Sequence, residues 1–311
     1  MNTLLNKKKE PIDKLAATAG GGRSLAAEAI RRMARSPVAI IGAVITALFV
    51  LLAIFAPLLA PKDPFDRALQ DQVQLGRGII PGSMPGYPLG VDDFGRDFLS
   101  RLLVGAQQTL LVGVVATLIG VSVGMIIGVL AGAFGGWVDT VLMRFVDVLL
   151  SVPSLLLAIS VAALFAKPNQ WTVIIAVSIV SVPIFARLLR GAMLAQRDAD
   201  HVLAATSLGV KRHTVVLRHM LPNSLGPVIV QATLTLATSI IEAAALSFLG
   251  LGDPDPSRAE WGLMLGKAAR QFLDIRPELA YYPAIAIIIV ALGFTLLGES
   301  MREALDPKNR R

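Results

Sequence analysis

His201, His213 and His219 are the only histidines in the chain, they lie close together, and no cysteine accompanies them. Without cysteine there are no disulfides, thiolate metal sites or cysteine nucleophiles. The 213/219 spacing suits no common helical metal pair, and no His-Glu-x-x-His occurs. None of the three histidines lies in an apolar block, which argues against a membrane-embedded Ser/His protease; they read as solvated or docking side chains. The stretch from Gly90 to Gly95 has the glycine spacing of a phosphate loop, but continues as Arg96-Asp97. The lysine that would reach the phosphates and the hydroxyl that would hold magnesium are both missing. One carboxylate stands out. Glu242 lies inside an apolar block, after Gln231, Thr233, Thr235, Thr238 and Ser239. A lipid-facing ion at that depth is strongly disfavoured, so Glu242 faces protein or a wet cavity. It either lines a pathway or makes a structural hydrogen bond to a neighbouring helix.

The elements that carry these residues are apolar helices. Of the 311 residues, 54% are hydrophobic and only 16% charged, with mean hydropathy +0.66; a soluble domain of this length needs more polar surface. The apolar residues gather into blocks long enough to cross a hydrocarbon core of about 30 Å at 1.5 Å per residue. We read six spans: 38–60, 110–134, 148–166, 171–189, 227–248 and 280–297. The fold class is therefore an all-α polytopic membrane protein surrounded by lipid. Ala60-Pro61-Lys62-Asp63-Pro64 punctuates the end of the first block, and Lys167-Pro168-Asn169 the turn between the third and fourth.

Charge orients the spans. The net charge of +7 reads as topology rather than nucleic-acid binding, because Lys and Arg collect in cytoplasmic loops. With the N-terminus inside, 19 of the 29 Lys and Arg are cytoplasmic; reversing the chain puts those 19 outside, against the bias. Both termini are expected in the cytoplasm. Residues 1–36 form a basic tail, in which Ser24 to Arg35 suits a short amphipathic helix on the membrane. No signal peptide is indicated, since the first apolar block is 23 residues long and lacks a small-residue cleavage site after it. Residues 37–109 comprise the first span and an external segment. Residues 110–301 form a five-span core with an internal loop at 190–226 and an external loop at 249–279. Residues 302–311 are a cytoplasmic tail. Arg144 and Asp147 are expected to pair at i,i+3.

Two patterns sit on this frame. Gly120, Gly124, Gly128 and Gly132 recur every fourth residue in the second span. A stripe without Cβ atoms lets another helix backbone approach closely, although glycine is also common in membrane helices generally. In the internal loop, residues 198–208 suit a short helix that Gly209 stops, and Pro222 is expected to end a second helical piece. A helix–turn–helix too polar to insert needs something to pack against; the plain alternative is a solvated loop.

This loop resembles the Glu-Ala-Ala loop of ABC importer permeases, in which those three residues precede a glycine and a later Leu-Pro. Ala204, Ala205, Gly209, Leu221 and Pro222 match, while Leu203 stands where the family has its glutamate. Asp200, three residues earlier on the same helical face, is a candidate substitute. The resemblance runs from about Arg31 to Lys308 and is closest to the dipeptide, oligopeptide and nickel permeases. It includes Pro88 to Asp97, Phe134 to Asp139, Leu246 to Gly252, Trp261-Gly262, Leu297-Gly298 and Arg302 to Pro307. It implies a pore-forming, non-enzymatic subunit whose loop couples to ATPases. It further implies a second homologous permease, two ATPase subunits that carry ATP and magnesium, and an extracytoplasmic solute-binding protein. No cofactor is expected on this chain and no nucleic acid among its partners. Peptide is the implied cargo, with nickel complexes second. Gln231, Thr235, Thr238 and Glu242 are the candidates for lining the pathway. An ion-coupled secondary transporter is the competing class; it predicts internal repeats and midplane charges, and the sequence offers no duplicated half and only Glu242.

Overall fold

A computed structural model describes residues 30–305. The expected amphipathic helix at Ser24–Arg35 lies largely outside them; residues 30–33 are helical. Among the described residues there are nine principal helices and no strand, only isolated bridges.

Helix α1 (Pro37–Leu59) starts where Ser36 accepts from the Ala39 amide and Pro37 occupies the first turn; proline loses nothing there, because that N–H has no helical partner. α1 is apolar all round, but it buries only Ala39, Gly42, Thr46, Phe49, Ala53 and Ala56. Their 3-and-4 spacing is one helical stripe, and the other faces are left for lipid. Helix α2 (Phe98–Phe134) has 37 residues, capped by the Asp97 carboxylate on the Ser100 amide. It starts twelve residues before the span expected at 110–134. At 1.5 Å per residue it is about 55 Å long, nearly twice the hydrocarbon thickness. Its first three turns hold Arg101, Gln107 and Gln108. An apolar window finds the part of a helix in lipid, not its full length.

The expected third span is not one helix. α3 (Gly136–Ser151) and α4 (Ser154–Ala162) meet at 95° across Val152-Pro153. Proline pushes the residue before it out of helical geometry, and Val152 is extended at φ −92°, ψ 131°. Five helices are each long and apolar enough to cross a membrane, and the bent pair makes a sixth crossing if counted as one span. α5 (Gln170–Arg197) opens with a capping box in which Asn169 and Thr172 satisfy each other's backbone amides. Then follow α6 (Asp200–Ser207), a helical turn at Arg212–Thr214, a π-helical stretch Val215–Met220, α7 (Leu221–Phe248), α8 (Trp261–Gln271) and α9 (Glu278–Leu305).

The most extensive helix–helix contact joins α2 to α5. A Cβ on Gly124 would lie 2.6 Å from the Val182 carbonyl oxygen, and one on Gly128 2.8 Å from that of Ala186. Gly120 meets the Ser181 side chain and Gly132 the Met193 side chain. Backbone thus meets backbone at Gly124 and Gly128. The other large contacts are α1 with α9 and α7 with α9. One core joins Phe49, Ile240, Trp261, Val290 and Phe294, and a second joins α2, α4, α5 and α7 through Val112, Ala158, Ile174 and Leu246. One end of the bundle carries residues 198–220. The opposite end carries 61–97 and 249–277, which close over it as a cap with its own core of Ile80, Tyr87, Val91, Phe98 and Phe272.

Candidate functional site

The residues singled out by sequence fall in two places, and the structure adds a third. At the loop end, α6 lies against the bundle. Val202 and Ala205 are buried with Phe185, Leu189, Met193, Val215, Val216 and Met220. The opposite face of α6 carries Asp200, Leu203, Ala204 and Ser207 in the open. The two alanines therefore do different things. Ala205 packs inward and Ala204 points out, as adjacent positions 100° apart around a helix must. Leu203 is 50% exposed and Leu208 84% exposed, so two leucines stand in the open among the polar side chains of the outer face. Gly209 stops the helix at φ +75°. Its amide bonds the Thr206 carbonyl at 3.0 Å, and the Val210 amide reaches back to Ala205 at 3.1 Å. This left-handed turn favours glycine because no Cβ meets the carbonyl.

Leu221 and Pro222 do not end a helical piece. Arg212–Phe248 is one long helical path with the π-helical stretch inside it. The wide turn before Pro222 shifts the hydrogen-bond register, and the proline then occupies the first turn of α7, where its missing N–H costs nothing. Arg212 spans from this loop to α2: its guanidinium donates to the carbonyls of Ala133 and Phe134, the latter at 3.2 Å, and lies 5.9 Å from the Phe134 ring centroid. Asp139 on α3 pairs with Arg190 on α5, Nη2 to Oδ2 at 2.6 Å. Asp147 pairs with Arg187 of α5 and not with Arg144 as expected. The packing of α3 on α5 brings Arg187 within reach of Asp147.

The second place is α7. Gln231, Thr238 and Glu242 lie on its open or half-open side, whereas Thr235 is buried and accepts from Gln231 Nε2 at 3.3 Å. The Thr238 hydroxyl bonds the Thr235 carbonyl at 3.0 Å. The Glu242 carboxylate has the Ser154 hydroxyl beside it, at the start of α4.

The third place, the cap, holds a knot of buried charge to which the sequence reading gave no role. Asp92 accepts from the Phe94 amide at 2.9 Å, the Arg96 amide at 3.0 Å and Arg96 Nε at 2.7 Å, and pairs with Arg101 Nε at 3.2 Å. Both arginines are 3% exposed. Arg101 also donates to the carbonyls of Pro64, Pro256, Ser257 and Arg258, and Arg96 to Pro256 at 2.7 Å. Two chain segments about 160 residues apart are thereby tied together. The dense run Asp92-Asp93-Phe94-Gly95-Arg96-Asp97 was a visible signal, but its carbonyl partners are not legible in sequence. Next to it Trp261 donates from Nε1 to Leu102 O at 2.9 Å and meets Phe49 edge-on. Glu260 caps α8 through the Gly262 and Leu263 amides, both at 2.9 Å. Burial pushes the Glu260 carboxyl above the usual carboxylate range, against the pull of those amides and the Ser247 hydroxyl.

A lipid-exposed helical bundle, capped at one end and carrying a docked helix–turn at the other, is the build of a membrane permease. The comparisons agree. The sequence matches the family described as binding-protein-dependent transport system inner membrane component over residues 124–311, and the N-terminal TM domain of oligopeptide transport permease C over 24–76. It is 40% identical to a dipeptide transport system permease protein, DppC, of Alkalihalophilus pseudofirmus, over 90% of this chain and 89% of that one. It is 43% identical to a glutathione transport system permease protein, GsiD, of Escherichia coli, over 89% of each. Among solved structures, the MetNI methionine ABC transporter matches with TM-score 0.54 at 17% identity, over 66% of this chain and 96% of that one, which bears on the fold alone. The chain belongs to the binding-protein-dependent transport system inner membrane components, as a multi-pass permease.

Proposed function

We propose that this permease forms half of the translocation pathway of an ATP-driven importer of di- or oligopeptides, and that α6 receives the stroke of two ATPase subunits. The carrying observation is the two-sided α6. Val202 and Ala205 fix it to the bundle while Asp200, Leu203, Ala204 and Ser207 face outward, with Leu208 exposed at the helix end. An outward face that leaves two leucines in the open at the end of a membrane protein is a docking face. ATP and magnesium belong on those ATPase subunits, a homologous permease completes the pore, and a solute-binding protein docks on the cap. The loop end and both termini are cytoplasmic, in line with the Lys and Arg bias. The polar side of α7, with Gln231, Thr238 and Glu242, lines the pathway. The dipeptide and glutathione permeases support a peptide cargo.

The test is transport by the purified complex in liposomes with its binding protein. Uptake of a labelled dipeptide with internal access to ATP and no ion gradient is expected. Uptake that needs a proton or sodium gradient and ignores ATP would replace this reading with a secondary transporter.

A further inference from the structure

Glu242 is a carboxylate within a membrane helix that forms no ion pair with any Lys or Arg among the described residues. It is only half-buried. The Ser154 hydroxyl at its side marks the break between α3 and α4. That break is itself exposed: residues 151–156 all lie open on the surface of this chain. It borders a cavity of about 370 Å³ lined by Leu149 to Ser154, Leu157, Val180 and Ile184. Irregular backbone cannot face lipid at membrane depth, since no water is there to satisfy its carbonyls. The break and the carboxylate therefore face either water or another chain. The electrostatics of the place favour one sign of guest. The carbonyl end of α3 is the negative end of a helix dipole, which favours a cation there. A carboxylate with no cation of its own next to a turn of backbone carbonyls is a cation site.

We infer that Glu242, with Ser154 and the α3–α4 break, forms a way-station for the primary ammonium group of the peptide in transit. This rests on the pathway reading of α7 and adds a charge preference to it. The ammonium group suits the site because its three donors can be shared between carboxylate, hydroxyl and carbonyl. The site is passed rather than closed, as conduction demands binding strong enough to enter and weak enough to leave.

The measurement uses Thr238, exposed one turn before Glu242 on the same side of α7. The chain has no native cysteine, so Thr238→Cys supplies a single thiol, and the partner subunits are used as cysteine-free versions. In the assembled, purified transporter the thiol is reacted with a trimethylammonium-ethyl and with a sulfonato-ethyl methanethiosulfonate. These probes are alike in size and opposite in charge. With Glu242 in place the cationic reagent is expected to react faster, and Glu242→Gln should lower the cation-to-anion rate ratio by about tenfold, as a unit charge about 6 Å away in water implies. Uptake of a free-ammonium dipeptide should fall in Glu242→Gln and recover in part in Glu242→Asp. A ratio unchanged by Glu242→Gln overturns the ammonium site while leaving the pathway reading intact. Failure of both reagents to reach the thiol removes α7 from the pathway and takes both readings with it. Loss of assembled complex in Glu242→Gln, with assembly restored in Glu242→Asp, assigns the carboxylate to the partner permease and overturns the site.

Discussion

At the scale of single residues, Gly209 is where a small change has the largest reach. Its φ of +75° is a conformation that valine avoids, and no neighbouring atom crowds the position. The effect of Gly209→Val is therefore backbone strain, on the order of 1–3 kcal/mol. Membrane insertion and pairing with the second permease should be unaffected. ATPase association, measured by co-purification and titration, should weaken by roughly tenfold to a hundredfold. The two alanines supply a paired control. Because Ala204 is exposed, Ala204→Arg should leave the permease as heat-stable as before and, on the proposed docking, impair ATPase association. Ala205→Arg forces a charge into the Phe185–Met193 core and lowers permease stability itself. Equal behaviour of the two would mean that α6 does not dock as described. Glu260 gives a pH signature. Its carboxyl is held above the usual range, so the folded state binds the proton more tightly than the unfolded one. Stability should fall as pH rises from the ordinary glutamate range through the raised one. Glu260→Gln, which cannot ionise, should flatten that slope in thermal unfolding followed by tryptophan fluorescence.

At the scale of elements, sequence and structure part company in an orderly way. Five of the six apolar blocks, the stop at Gly209 and the four-residue glycine repeat were legible, because each depends on residues near in sequence. The break at Pro153 carried a plain signal, yet apolarity on both sides outweighed it. The full length of α2 was hidden because Ser100, Arg101, Gln107 and Gln108 interrupt the apolar run in its first three turns. Nothing in two adjacent alanines says which faces inward. The pairing of Asp147 with Arg187 required knowing that α3 packs on α5. That packing leads back to the glycine repeat. Gly124→Ala places a methyl group 2.6 Å from a backbone carbonyl, and should destabilise the permease by about 1–3 kcal/mol through overpacking. Gly191→Ala on α5 meets nothing within 4 Å, and should be neutral or stabilising by about 0.5–1 kcal/mol. Thermal unfolding of the two variants in detergent decides it; equal losses would mean that α2 and α5 are not in backbone contact. Arg212 extends the same pair of helices to the loop. Arg212→Ala should leave ATPase binding intact while uncoupling hydrolysis from uptake, and Arg212→Lys, which keeps the charge but loses the fork, should recover only part of the coupling.

At the scale of the whole molecule, orientation is the first thing to establish. Ser83 is exposed in the cap and Ser207 is exposed on α6. A cysteine at 83 should react with an impermeant thiol reagent in spheroplasts, and a cysteine at 207 only after the membrane is opened. The reverse pattern would invert the permease. The buried Asp92–Arg96–Arg101 knot sits beside the start of α2, and the Arg212 contact sits at its end. One unbroken helix of 37 residues therefore has the cap at one tip and the loop at the other. Such a rod has no private ends. Free energy that a partner spends on displacing one tip is felt at the other, and linkage makes the exchange symmetric. If ATP binding below tightens the hold of the cap on its extracytoplasmic partner by some factor, that partner must tighten ATP binding by the same factor. Two titrations on one sample, nucleotide with and without the partner and partner with and without nucleotide, should return a single number.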